Sequence, residues 1–139
     1  MRRLALLPLV ASLSAVVAAP AAAQGSPIQG NWKAADGKSV IRFEPCGGAM
    51  CGTIAQFLVP EPKGGARDDK NPDRALRSRK LLGLQIFHGL TPDRGRYRGK
   101  GYSPEDGRHF NAQVWREGSM LKVKGCVTVI CRTVSFSKI

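Results

Sequence analysis

Beyond residue 30, apolar and polar side chains alternate with a period of two, and the alternating runs are punctuated by Gly, Pro or Asp-Gly pairs. Such a period puts every second side chain on one face of a strand, so repeated runs predict an antiparallel sheet. Eight strands are expected, over residues 30–34, 39–44, 52–59, 84–90, 96–102, 108–116, 120–125 and 132–138. Asp36-Gly37 would join the first two. Asp106-Gly107 is the strongest hairpin signal, because a type I′ turn needs positive φ at both central positions and these residue types accept it. As a two-residue turn it sets Gly101 opposite Ala112 and Gly99 opposite Val114 on the inner face, with Arg98 opposite Trp115 outside.

One stretch departs from this pattern. Residues 60–70 read as loop, and Asn71-Pro72-Asp73 can start a short helix reaching about Lys80, with Asn71 as the cap and Pro72 at the first helical position. The expected picture is a helix laid across the end of a barrel.

Ahead of the sheet, Arg2 and Arg3 precede an apolar run over residues 4–17 and the small residues Ala21-Ala22-Ala23, the three parts of a secretory signal peptide. Ser12, Ser14 and Pro20 interrupt a stretch that is short for a membrane span, which needs roughly 20 apolar residues. Residues 1–23 are therefore expected to be a cleaved leader and residues 24–139 a single domain, periplasmic or secreted and not integral to the membrane. Removing 23 of 139 residues leaves 116, with 20 basic and 10 acidic side chains, so the net charge falls from +12 to +10. That length supports one core and no second domain. The charge favours anionic partners. Nucleic acid is not expected for an exported protein; an anionic envelope component such as lipopolysaccharide, acidic lipid or an acidic protein is, and a merely solvated basic surface is the plain alternative.

Cys46 with Cys51 and Cys126 with Cys131 form two C-x4-C pairs. In an oxidising compartment an even count argues for disulfides, whereas zinc pairs usually have shorter spacing. Alternation in residues 121–125 and 131–136 puts Cys126 and Cys131 on the outer face beside a tight connection, which favours Cys126–Cys131 and, by analogy, Cys46–Cys51 around Gly47-Gly48. Chain entropy alone favours crossed pairing, because a bridge closing a long loop stabilises by about 4.5 kcal/mol against roughly 2 for a short one.

Four groups of residues carry a resemblance: Gly30-x-Trp32, the Cys46-Gly47-x-x-x-Cys51-Gly52 turn, the stretch from Asp69 through Asn71-Pro72-Asp73 to Gly83, and Tyr102-x-Pro104-Glu105-Asp106-Gly107. Together they resemble the exported bacterial family catalogued as domain of unknown function 2147, over nearly all of the chain after the leader. The resemblance implies a single antiparallel, lipocalin-like barrel able to hold an apolar ligand. Family members often end in Trp-x-Arg; this chain has Phe136-Ser137-Lys138, so Lys138 or Arg132 would have to pack over Trp32.

No catalytic signature stands out. Asp69, Asn71 and Asp73 alternate like the start of a calcium loop, but Arg74 and Lys80 stand where Gly and Glu are needed, so no metal is expected. His88 and His109 belong to no nucleophile or zinc pattern, and no cofactor is implied. Candidate cavity residues are Trp32, Phe43, Phe87, Tyr97, Gly99, Gly101, Phe110 and Val114, whose mix of aromatic and small side chains leaves room inside, although strands this short point to a small cavity at best. Arg94, Arg96, Arg98 and Lys100 fall on one face of a strand with Arg108 nearby and Trp115 beside Arg98, a candidate surface for an anionic partner. The expected function is a non-enzymatic, exported binding protein holding a small apolar or amphiphilic ligand; the alternative is an envelope interaction module using the basic outer stripe.

Overall fold

The computed structural model describes residues 15–18 and 26–139, so the expected leader falls almost wholly outside the described residues. The strands are β1 (Gly30–Lys33), β2 (Ser39–Cys46), β3 (Ala49–Phe57), β4 (Gln85–Asp93), β5 (Arg96–Ser103), β6 (Arg108–Glu117), β7 (Met120–Val127) and β8 (Ile130–Lys138). Each pairs antiparallel with the next, and β8 returns to β1, so the sheet closes into an eight-stranded barrel. All eight expected strands are present.

Alternation sets the inner wall. Val114, Val123 and Val134 are register partners across β6, β7 and β8, as are Leu121 and Phe136 one layer further along. Polar neighbours such as Gln113 and Lys124 take the opposite face. The barrel is filled solidly toward the end where β1 begins: Ile28, Trp32, Phe43, Leu90, Val114 and Leu121 are all fully buried there or beside it. A turn formed by Gln29 N–H donating to the Ser26 carbonyl tucks Ile28 beneath Trp32, whose indole Nε1 donates to the Ile28 carbonyl at 2.9 Å. Ser26 Oγ adds a hydrogen bond to the Tyr97 hydroxyl at 2.7 Å. These contacts plug one end.

Register and turns depart from expectation in two places. Asp106-Gly107 does not make a two-residue turn: Ser103 pairs with Arg108, leaving a four-residue connection in which Gly107 N–H donates to the Ser103 carbonyl. Pro104 has no N–H to continue the ladder, so pairing stops one residue before it. Gly99 consequently faces Ala112, Gly101 faces Phe110, and Arg98 faces Gln113. A slip of two keeps every side chain on its expected face. Two-residue turns with positive φ at both centres are instead Gly47-Gly48 (55° and 80°) between the paired Cys46 and Ala49, and Arg94-Gly95 (53° and 76°) between the paired Asp93 and Arg96.

The expected helix shrinks to one 3-10 turn, Arg74–Leu76, capped by Asp73, whose Oδ1 accepts from Ala75 N–H at 3.0 Å. Asn71 cannot cap it because its side chain is engaged elsewhere: Nδ2 donates to Asp68 and Oδ1 accepts from Asp73 N–H. Nor does this segment lid the barrel. Residues 66–81 fold back on themselves through the Arg67 to Lys80 bridge and pack beside the β5–β6 connection, where a Cβ on Gly107 would overlap the Lys70 carbonyl.

The disulfides are Cys46–Cys51 and Cys126–Cys131. The first braces the β2–β3 hairpin at the plugged end. The second braces the β7–β8 hairpin at the other. Among the described residues no helix is long and apolar enough to cross a membrane.

Candidate functional site

Opposite the plug, the barrel is hollow. A cavity of about 870 Å³ opens between the β1–β2, β5–β6 and β7–β8 connections and is walled by Ile41, Ile54, Phe87, Phe110, Val123 and Phe136. That volume is well above the small cavity expected and lies within the range of sites for drug-sized molecules. Of the 66–81 segment only Leu81 reaches the lining, so the end of the barrel is left open.

Glycines shape the wall in an indirect way. A Cβ at Gly101 would overlap the Phe110 ring, and one at Gly125 would come within 2.9 Å of it. Gly52 stands in the same relation to Phe87, at 2.8 Å. The missing side chains let two rings lie against the wall and meet edge to face, 6.1 Å between centres. Phe43 continues the row, 5.2 Å from Phe87. Small residues thus supply seats for aromatic rings, and the space left beside the rings is the cavity.

Of the eight candidate cavity residues, Phe87 and Phe110 line this space. Trp32, Phe43 and Val114 belong to the solid core, Tyr97 is tied to Ser26, Gly99 lies against the backbone of His88 and Gly89 in a β4 bulge, and Gly101 underlies Phe110. Ile41, Ile54, Val123, Val134 and Phe136 were missed. Their inward parity was legible; which half of each strand faced a void was not, because the plug that fills the other half is made by Ile28, outside every strand.

The mouth is charged. Asp36, Lys38, Glu105, Arg108 and Arg132 stand around it, and Lys38 Nζ reaches Glu105 Oε1 at 3.7 Å across two loops. Both side chains are exposed, so the pair adds little stability. An apolar floor under a polar rim suits an amphiphile.

The candidate outer stripe is dispersed. Arg94 sits at a turn tip and Arg98 is ion-paired to Asp93. Arg96, not Arg98, stacks on Trp115, 3.8 Å from the ring centre, while donating to Gln113. Lys100 donates to Asn111, and Arg108 stands at the mouth. His88 and His109 are exposed on the outside, His109 lying 4.8 Å from the Tyr102 ring.

A buried polar cluster lies beside the cavity, and no sequence pattern announced it. Asp68, fully buried, accepts from the Tyr102 hydroxyl at 2.5 Å, Asn71 Nδ2 at 2.8 Å and Arg79 Nε at 2.8 Å. Burial alone would raise the Asp68 pKa, but these three hydrogen bonds and the Arg79 charge outweigh it and hold the carboxyl below its ordinary value. Burial, then the hydrogen bond to and charge of Asp68, push the Tyr102 phenol up to about 12. Every acceptor is used and the cluster faces no open space; it anchors the 66–81 segment to β5. Among the described residues no group of three or more His, Cys, Asp or Glu side chains is arranged to hold a metal ion.

Comparison with known proteins agrees with this architecture. A Helicobacter pylori protein described as belonging to the lipocalin family superposes with a TM-score of 0.62 at 19% identity, covering 73% of this chain and 72% of that one. At that identity the likeness shows the fold. Among curated protein sequences none matches. Residues 30–138, from the first strand to the last, match a family described as uncharacterised proteins conserved in bacteria, and the chain belongs to that family, domain of unknown function 2147.

Proposed function

We propose that this chain is an exported binding protein that carries a small apolar or amphiphilic molecule inside its barrel. The observation that carries the proposal is the open cavity of about 870 Å³ with Phe87 and Phe110 in its wall. Two features support export: the leader-like sequence of residues 1–23 and the pairing of all four cysteines. An amphiphile would place its chain over the rings and its head beside Arg108, Arg132 or Lys38. Docking of an anionic envelope component on the Arg94, Arg96 and Arg98 stripe has less support, since Arg96 is engaged by Gln113 and Trp115 and both Arg94 and Arg98 pair with Asp93.

Native mass spectrometry of protein recovered from the envelope fraction of its own cells, followed by solvent extraction, should reveal a retained amphiphile. As a second measurement, Val123→Trp should fill the cavity and weaken displacement of a fluorescent fatty-acid probe about tenfold or more while the protein stays folded. No retained molecule, together with probe binding indifferent to Val123→Trp, would remove the proposal.

A further inference from the structure

We infer that the tip of the β7–β8 hairpin is a membrane-docking wedge that seats the open end of the barrel on an anionic lipid bilayer. Val127, Val129 and Ile130 are 44%, 92% and 77% exposed, an apolar cluster at the extremity of the molecule. The turn between them is costly. Thr128 holds φ at 53°, a left-handed conformation that β-branched residues adopt poorly, where other tight turns of this barrel use Gly47-Gly48 or Arg94-Gly95. A turn selected only for solubility and ease of folding would carry Asn or Gly here.

Directly behind the tip, Cys126 and Cys131 are register partners joined by a disulfide. The bridge braces the hairpin stem, and Val129 at its tip stands outside the cavity lining. Val127 and Ile130 also belong to the cavity mouth, as does Val59, itself 43% exposed. The rim is therefore apolar where the tip stands and where the chain leaves β3.

Charge selects a bilayer as the occupant. Across β7 and β8 there is no acidic side chain, while Lys124 and Arg132, in the half of the hairpin nearer the tip, are basic. Lys124 and Arg132 flank the hairpin stem, and Lys100 and His109 border a shallow groove against Val127 and Thr128. The acidic mouth residues Asp36, Glu105 and Asp106 belong to other connections, and Lys38 pairs with Glu105. Apolar side chains that reach the acyl boundary, with Lys and Arg behind them at headgroup level, are what an interfacial anchor on acidic lipid requires. That a ligand passes between bilayer and cavity in this pose rests on the carrier function proposed above; the docking itself does not.

The test is co-sedimentation of the purified protein with vesicles of equal parts phosphatidylethanolamine and phosphatidylglycerol, compared with vesicles of phosphatidylcholine alone. Both arms use the same N-terminus, so differences between variants report on the tip. Val129→Ser with Ile130→Ser, both at exposed positions, should weaken binding to the acidic vesicles at least about tenfold, and Lys124→Ser with Arg132→Ser should remove the preference for acidic lipid and its salt sensitivity. Val129→Trp should show a blue-shifted emission on the acidic vesicles. Parent protein that stays in the supernatant, tip variants that bind as the parent does, or a tip that proves to join two copies in sedimentation equilibrium would each overturn the inference. Probe binding in the absence of vesicles should be unchanged in Val129→Ser alone, whose side chain is 92% exposed and outside the cavity lining, which separates loss of docking from loss of the carrier function.

Discussion

Lys138 Nζ lies 4.6 Å from the centre of the Trp32 ring, and the two residues are register partners across the seam where β8 meets β1. The ammonium lies over a fully buried indole, and Arg116 approaches the same ring at 5.8 Å. Gly30 makes the arrangement fit: its φ is 125°, and a Cβ there would overlap Lys138 Nζ. Gly30, Trp32 and Lys138 therefore act as one unit.

Replacing Lys138 with Ala should cost about 1 kcal/mol, the size of a partly desolvated cation-π contact with its packing. Replacement with Arg should be nearly neutral. Urea denaturation, followed by Trp emission, checks both. Gly30→Ala should cost more than Lys138→Ala, because it strains the backbone as well as displacing the ammonium.

Gly101→Ala should destabilise by about 1 to 3 kcal/mol, since the added methyl meets the Phe110 ring that the glycine now seats. Phe110→Leu in the same chain should recover part of that loss. A double-mutant cycle in thermal denaturation measures the coupling; additive effects would contradict the seating of Phe110 on Gly101.

Asp68→Ala should cost about 3 kcal/mol, because it leaves the Tyr102 hydroxyl, Asn71 amide and Arg79 guanidinium without their shared acceptor. Tyr102→Phe removes one donor from a charged acceptor and should cost about 2 kcal/mol. Limited proteolysis should cut within residues 66–81 sooner in both variants, as the anchor of that segment is lost.

The same cluster sets a pH dependence at each extreme. The Asp68 carboxyl is held below its ordinary 3.8, so its contribution to stability is present above that value and is lost as pH falls through the lowered folded one. Tyr102 titrates at about 12 in the folded chain against an ordinary 10, so its contribution is intact below 10 and is lost as pH rises from 10 to 12. Urea midpoints measured across pH should fall at both ends, and Tyr102→Phe should flatten the alkaline fall.

Strand existence and disulfide pairing were legible because both depend on local alternation: Val123 and Leu121 define a face, and Cys126 takes its place by parity. The Asp106-Gly107 register was misjudged because Pro104, two residues upstream, stops the ladder first. Asn71 looked like a cap by its neighbours Pro72 and Asp73, yet its partner is Asp68, which in turn answers Tyr102 from 34 residues away. No periodic signal encodes a contact of that kind. The hollow half of the barrel was equally hidden, since alternation tells inside from outside but not full from empty.

All ladders but one join strands adjacent in sequence; the exception is the β1–β8 seam, held by the Trp32–Lys138 and Lys33–Ser137 pairs and by Ile139 N–H donating to Asn31. Hairpins can form as the polypeptide arrives, but the circle cannot be completed until its last residues are present. Before that moment β1 and β8 are open edges able to recruit another chain. Loss of residues 137–139 would leave a curled, unsealed sheet, so this short segment acts as the clasp of the barrel.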